Sequence, residues 1–253
     1  NSEVTVAVHL PLSPSGQRFC QFFAHRFNFI KAPNTGQKSP EWQTLSAYPI
    51  EHRNLWHQFC DPATFVGVSF GATTHYALLD IDRGSPYHPS NNEQRFKELL
   101  GAYEDVGINE LITLQSSWSE GLHIYLAFPK ELPTYKLAVM LKLTAIRSGF
   151  KVKGGELEIF PNTKSYNKAH PTPYKAHRLP LQEGSFLLDR NLDPYSNSIK
   201  EFLDLAEKAA LAQDIDLIEA ALEAADKTKG FRHIKGNGAK AAQFAQDLKE
   251  QIE

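Results

Sequence analysis

The stretch HYALLDID, residues 75–82, decides how this chain is read. Its apolar run Tyr76-Ala-Leu-Leu has the look of a buried strand, and two acids follow it. Residues two apart on a strand point to one face, so Asp80 and Asp82 would emerge together at its end. Two carboxylates so close repel each other unless a cation lies between them, which favours a divalent metal site.

Working outward, FVGVSF (65–70) reads as a second buried strand, separated from the first by a Gly-Ala-Thr-Thr turn. Upstream, residues 16–29 read as a short amphipathic helix with Phe19, Phe22, Phe23 and Phe27 at helical spacing, and residues 32–40 as a loop. Downstream, residues 92–103 are helix-like, 111–116 and 122–128 form a strand pair, and Pro133 starts a helix running to about 148. Residues 156–160 read as a strand ended by Pro161, with short segments at 177–181 and 185–188. From about 196 the texture becomes Ala, Leu, Glu and Lys at helical period, with helices expected at 198–212, 214–225 and from about 238. The pattern permits an α/β fold in the broad sense (α+β). A larger domain over 1–193 would precede a helical module over 194–253.

At 253 residues and 42% hydrophobic, the chain can hold one large domain or a domain with an appendage. No stretch approaches the ~20 apolar residues of a membrane span, and no signal pattern opens the chain. It starts at Asn1, as a processing boundary would. Two cysteines exclude a disulfide framework and suit a reducing cytoplasm. The net charge of −2 argues weakly against nucleic acid, but its distribution does not. Residues 130–190 carry 11 Lys and Arg against 5 Asp and Glu, whereas residues 80–120 carry 3 against 8. An acidic segment beside a basic one suits a metal site facing a polyanion.

Three further motifs follow the Asp pair. SSWSEGLH (116–123) joins two strands and sets hydroxyls and a glycine before His123, as in a turn that approaches phosphates. GGELEIFP (154–161) carries Glu156 and Glu158, expected on one strand face, where unpaired burial would be costly. HRLP (177–180) carries Arg178, whose fork can hold a phosphate. The basic residues Lys164, Lys168 and Lys175 lie nearby.

In this order the motifs resemble those of the archaeo-eukaryotic primase superfamily: paired acids, a Ser-x-His type element, then a third acid. The resemblance covers roughly residues 65–188. The LEIFP and HRLP elements look closest to primase-polymerases of bacterial mobile elements, plasmids and phages, including CRISPR-associated forms. It implies a two-lobed α/β (α+β) catalytic core over 1–193, with mixed or antiparallel sheets around the acidic site. Asp80, Asp82 and Glu158 would hold two divalent ions, Mg²⁺ or Mn²⁺, with Glu156 as a rival for the third position. It makes His123 a contact to the incoming triphosphate, with Ser117, Ser119, Arg178 and Lys175 as further phosphate contacts. Two departures stand out: the third acid is Glu where many members have Asp, and Trp118-Ser119-Glu120 interrupts the serine element. The expected activity is DNA primer synthesis or extension from nucleoside triphosphates on a single-stranded template. A helicase or other replication or CRISPR proteins would be further partners. The alternatives are a metal-dependent nuclease or phosphohydrolase, and an idle primase-like module that only binds nucleic acid.

Cys20, His25, His57 and Cys60 have spacings that suit zinc, or else they are ordinary residues among aromatic ones. Tyr87-His88-Pro89 is either a sugar contact or a plain loop. No Walker-type phosphate loop appears, and Gly236-Asn-Gly-Ala-Lys240 is too short to be one.

Overall fold

A computed structural model of the chain describes residues 11–37, 39–164 and 172–228. Helix α1 (Pro14–Phe22) leads into strands β1 (Phe29–Pro33) and β2 (Gln43–Leu45), helix α2 (His52–Cys60) and strand β3 (Thr64–Val68). Then come β4 (Thr73–Ile81), α3 (Glu93–Glu104), β5 (Ile112–Gln115), β6 (Leu122–Pro133) and α4 (Thr134–Arg147). Short strands β7 (Glu158–Phe160), β8 (His177–Arg178), β9 (Phe186–Leu188) and β10 (Pro194–Ser196) precede helices α5 (Ile199–Ala212) and α6 (Ile215–Asp226).

The strands form two sheets, ordered β2-β1-β3-β8 and β10-β9-β5-β6-β4-β7. Every strand pair in them is antiparallel, so the fold is α+β. Strand β4 is interior, between β6 and β7, and both of its faces are covered. Ala77, Leu79 and Ile81 face a core built with Leu99 and Tyr103 of α3, Leu137 and Leu141 of α4, and Ile218 and Leu222 of α6. Tyr76 and Leu78 face a second core that reaches Val66 and Val68 of the smaller sheet, Phe19 of α1, Leu55 of α2 and Phe202 of α5. Burial on both faces is why β4 reads as an apolar run rather than an alternation.

Local sequence explains the helix starts. Ser13, Asn92, Ser198 and Asp214 each cap a helix by accepting from a backbone N–H three residues on. Helix α1 stops at Phe22, short of the expected end at 29. Phe23 leaves helical geometry to bury its ring, and Asn28 takes a left-handed φ of 54° that Asn tolerates. Phe27 is thereby turned out to solvent.

The expected boundary at 193/194 is not a packing boundary among the described residues. Strand β10 joins the larger sheet, α5 packs into one core and α6 into the other. Gln213, between the two helices, accepts from the Asn109 N–H (2.7 Å) and donates to the Ala127 carbonyl (3.0 Å). The helix expected from about 238 and Gly236–Lys240 lie outside the described residues. No described helix is long and apolar enough to cross a membrane.

Candidate active site

The site grows from one register line of the larger sheet. Asp80 of β4 is paired directly with His123 of β6 on one side and with Glu158 of β7 on the other. Directly opposed residues of an antiparallel pair share a face. The three side chains therefore stand in one row, on the face that carries Leu78 and Tyr125. Farther along that face the positions are apolar and buried; at this end they are acidic and reach solvent. His123 Nε2 lies 3.6 Å from Asp80 Oδ2, and Lys175 Nζ lies 3.3 Å from Glu158 Oε1.

Asp82 stands one residue past the end of β4 and is more exposed than Asp80. Partial burial, then the charge of Asp80, pushes its carboxyl above the ordinary range, with His123 acting against them. Glu156, the rival third acid, is elsewhere: it sits in the turn before β7, bound to Lys153 at 2.9 Å, which holds its carboxyl below the usual range. The two glutamates do not share a strand face, because β7 begins only at Glu158.

Facing the row across a cavity of about 570 Å³ are residues of the smaller sheet and the segment leading into β8. Ile30, Trp42, Thr44 and Arg178 line it together with Asp80, His123, Glu158, Lys175, Ser116 and Ser117. Arg178 donates from Nη2 to the Glu183 carbonyl (2.6 Å) and lays its guanidinium 4.0 Å above the Phe65 ring. Burial lowers its pKa to about 10 against the opposing pull of Glu183. Its Nε is buried with no hydrogen-bond partner among the described residues, a donor suited to an anion entering the cavity.

The neighbouring His177 plays another part. It is fully buried, accepts from the Tyr76 hydroxyl at Nε2 (2.8 Å) and donates from Nδ1 to the Arg178 carbonyl (3.1 Å). Burial drives its pKa down to about 3, so it is a neutral structural residue that anchors β8.

The hairpin between β5 and β6 supplies the hydroxyls. Ser117 Oγ lies 2.8 Å from Ser119 Oγ and accepts from the Ser119 N–H, so the two serines form one local turn. Ser117 lines the cavity and Ser119 does not; Ser116, absent from the expected set, does. The loop after Asp82 holds this hairpin. His88 accepts from the Ser90 N–H at Nδ1 and so donates from Nε2 to the Glu120 carbonyl (3.0 Å). Tyr87 is buried against Phe150, with its hydroxyl accepting from the Lys151 N–H. Tyr87 and His88 are therefore struts of the site rather than sugar contacts.

The zinc spacings are not assembled. Cys20 is buried with its thiol donating to the His52 carbonyl, Cys60 is exposed, and burial pushes the Cys20 thiol up to about 11. Lys164 lies over the Tyr174 ring, 4.3 Å from its centroid, and Lys168 is outside the described residues. No group of three or more His, Cys, Asp and Glu among the described residues is already gathered as a metal cage. The donors at the row nevertheless fit a hard divalent ion. Asp80 and Glu158 are oxygen donors on adjacent strands, the charge of Asp80 bears on nearby Asp82, and Lys175 stands beside Glu158.

Trp42 is the residue that sequence reading passed over. It precedes a three-residue strand with no periodicity, so only its neighbours in space identify it. No known family model matches this chain, and no curated protein matches it.

Proposed function

We propose that this chain is a primase-polymerase of the archaeo-eukaryotic primase type, joining nucleotides on a single-stranded DNA template. The row His123–Asp80–Glu158, with Lys175 against Glu158 and Arg178 lining the same cavity, carries the reading. A nucleoside triphosphate matches both walls: its phosphates answer the guanidinium and ammonium, and ions carried with it answer the carboxylates. A cavity lined by residues of both sheets is in keeping with the two-lobed core of that superfamily. The setting would be a bacterial cytoplasm, with a helicase or other replication proteins as partners.

Asp80 and Glu158, joined by Asp82 from the adjoining loop, would hold Mg²⁺ or Mn²⁺. Such ions, when bound, supply Lewis acidity and neutralise phosphate charge. The chain's own groups do the rest. His123, beside Asp80 in the row, would present an N–H to the triphosphate. Arg178 contributes its free Nε–H and Lys175 its ammonium, while Ser117 offers a hydroxyl at the hairpin. The 3′-hydroxyl of the primer, or of a first nucleotide, attacks the α-phosphate, and pyrophosphate leaves. No side-chain nucleophile is required.

The test is incorporation of labelled nucleotides on single-stranded DNA, with and without primer, in Mg²⁺ and in Mn²⁺. Products are expected from wild type and none from Asp80→Asn or Glu158→Gln. His123→Ala should be slower by about 10²–10³-fold, as for loss of one transition-state donor. Degradation of the template without nucleotides would instead identify a nuclease. Intact, bound template with no incorporation would identify a binding module.

A further inference from the structure

An exposed tryptophan inside a charged cavity calls for a ligand. Trp42 stands just before β2 and leaves 36% of its surface accessible, while lining the same cavity as Asp80, His123 and Glu158. A large ring left in water forgoes the burial that makes tryptophan useful in a fold. The ring is braced: it lies 6.3 Å from the buried Phe65 ring, and its backbone N–H donates to the Pro40 carbonyl (3.1 Å). The same Phe65 ring carries the Arg178 guanidinium at 4.0 Å. Indole and guanidinium thus pack against one side chain, and both line the same cavity. Pro40 and Ile30 extend the apolar surface beside the indole. The cavity thus offers both an aromatic, apolar surface and cationic groups.

We propose that Trp42 is the stacking platform for the base of the bound nucleoside triphosphate, whose phosphates run to Arg178 and Lys175. This rests on the nucleotide-binding part of the function above and adds a residue that positions the base. Every nucleobase has a π-face, so the platform accepts all of them and leaves base choice to the template.

The chain has three tryptophans, Trp42, Trp56 and Trp118. Trp118 is 66% exposed and would add its own signal, so fluorescence is read in Trp118→Phe. The probes are dATP, dCTP, sodium tripolyphosphate and a single-stranded oligonucleotide, each in Mn²⁺. Both dATP and dCTP are expected to quench, and tripolyphosphate to bind with little quenching. By calorimetry, Trp42→Ala should bind dATP about ten- to a hundredfold more weakly, the range of one lost base stack, with tripolyphosphate affinity unchanged. Trp42→Phe should recover most of the loss. Unchanged dATP affinity in Trp42→Ala overturns the proposal. So does an equal loss for dATP and tripolyphosphate, which would mean that the phosphate side was disturbed. Quenching by the oligonucleotide but not by dATP also overturns it, giving the indole to the template instead. If Trp42→Ala does not fold, quenching in the intact ring decides. A chain that binds dATP through Trp42 yet never incorporates it keeps this proposal and loses the polymerase. Incorporation with an unchanged KM in Trp42→Ala does the reverse.

Discussion

At Asp80 the question is how a β-sheet tolerates acids on neighbouring strands. Glu158 has Lys175 beside it and Asp80 has His123, whereas at Asp82 partial burial and the repulsion of Asp80 outweigh the opposing pull of His123. Its carboxyl is raised, so the folded chain holds that proton more tightly than the unfolded chain does. The folded state then carries more bound protons, and stability falls as pH rises from the ordinary carboxylate range through the raised value. Without divalent ions at pH 7, Asp82→Asn is therefore expected to raise the urea midpoint, and the gain should vanish below that range. Adding Mn²⁺ should reverse the order, because an ion that binds only the folded wild type stabilises it by mass action. Asp80→Asn should respond little. A wild type indifferent to Mn²⁺ would remove the carboxylate row from consideration as an ion site.

His177 has the opposite sign. Its pKa falls from 6.5 to about 3 because it is buried, so between those values the unfolded chain takes up a proton that the folded chain refuses. Stability rises with pH across that window and is fully present above 6.5. His177→Gln should flatten the loss of urea midpoint on acidification just below pH 6.5. An unchanged slope would mean that this imidazole is not the buried, neutral group described.

Among the elements, β8 has the least of its own to hold it. It is two residues long, yet it sets Arg178 opposite Gly67 of β3. A methyl group added at Gly67 would fall 2.6 Å from Ile30 Cγ1 and well inside contact distance of the His177 carbonyl. Gly67→Ala should thus cost about 1–3 kcal/mol, typical of overpacking, and push β8 outward. Nucleotide affinity should fall with it, which calorimetry beside urea unfolding would register. A variant that loses stability but binds dATP normally would show that Arg178 needs no such seat. The same element shows what sequence conveys. Strand β4, helix α3 and the β5–β6 hairpin were legible because apolar runs, helical periods and turns are local. The cross-strand meeting of Asp80 with Glu158 was not, since register between distant segments leaves no local mark. Glu156 misled for a related reason: alternation pairs it with Glu158, but Gly155, at a φ of 80°, makes the segment a turn that Lys153 closes. Strands as short as β2 and β8 carry no period at all; Arg178 was marked by its HRLP motif, whereas Trp42 acquires its meaning only in space.

At the scale of the molecule, the site depends on two cores that share one sheet. Beneath the acid row lies the core that α5 closes with Phe202 and Leu203; on the opposite face lies the core that α6 closes with Ile218 and Leu222. Gln213 ties the helices to backbone at Asn109, Glu110 and Ala127, so neither core is complete without the segment after 193. Phe202 is fully buried, and Phe202→Ala should cost about 3–5 kcal/mol, a large fraction of the stability of an ordinary domain. A chain ended at 193 would expose one wall of each core at once. It is expected to lose the cooperative urea transition and the near-ultraviolet circular dichroism of packed aromatics such as Tyr76, Tyr125 and Phe23. If that shortened chain unfolded cooperatively, α5 and α6 would be an appendage after all. The acid row would then owe its rigidity to the sheets alone. If it collapses, any activity of the row is inseparable from the helices that follow it, because the strands that align Asp80, His123 and Glu158 are straightened by packing on both faces.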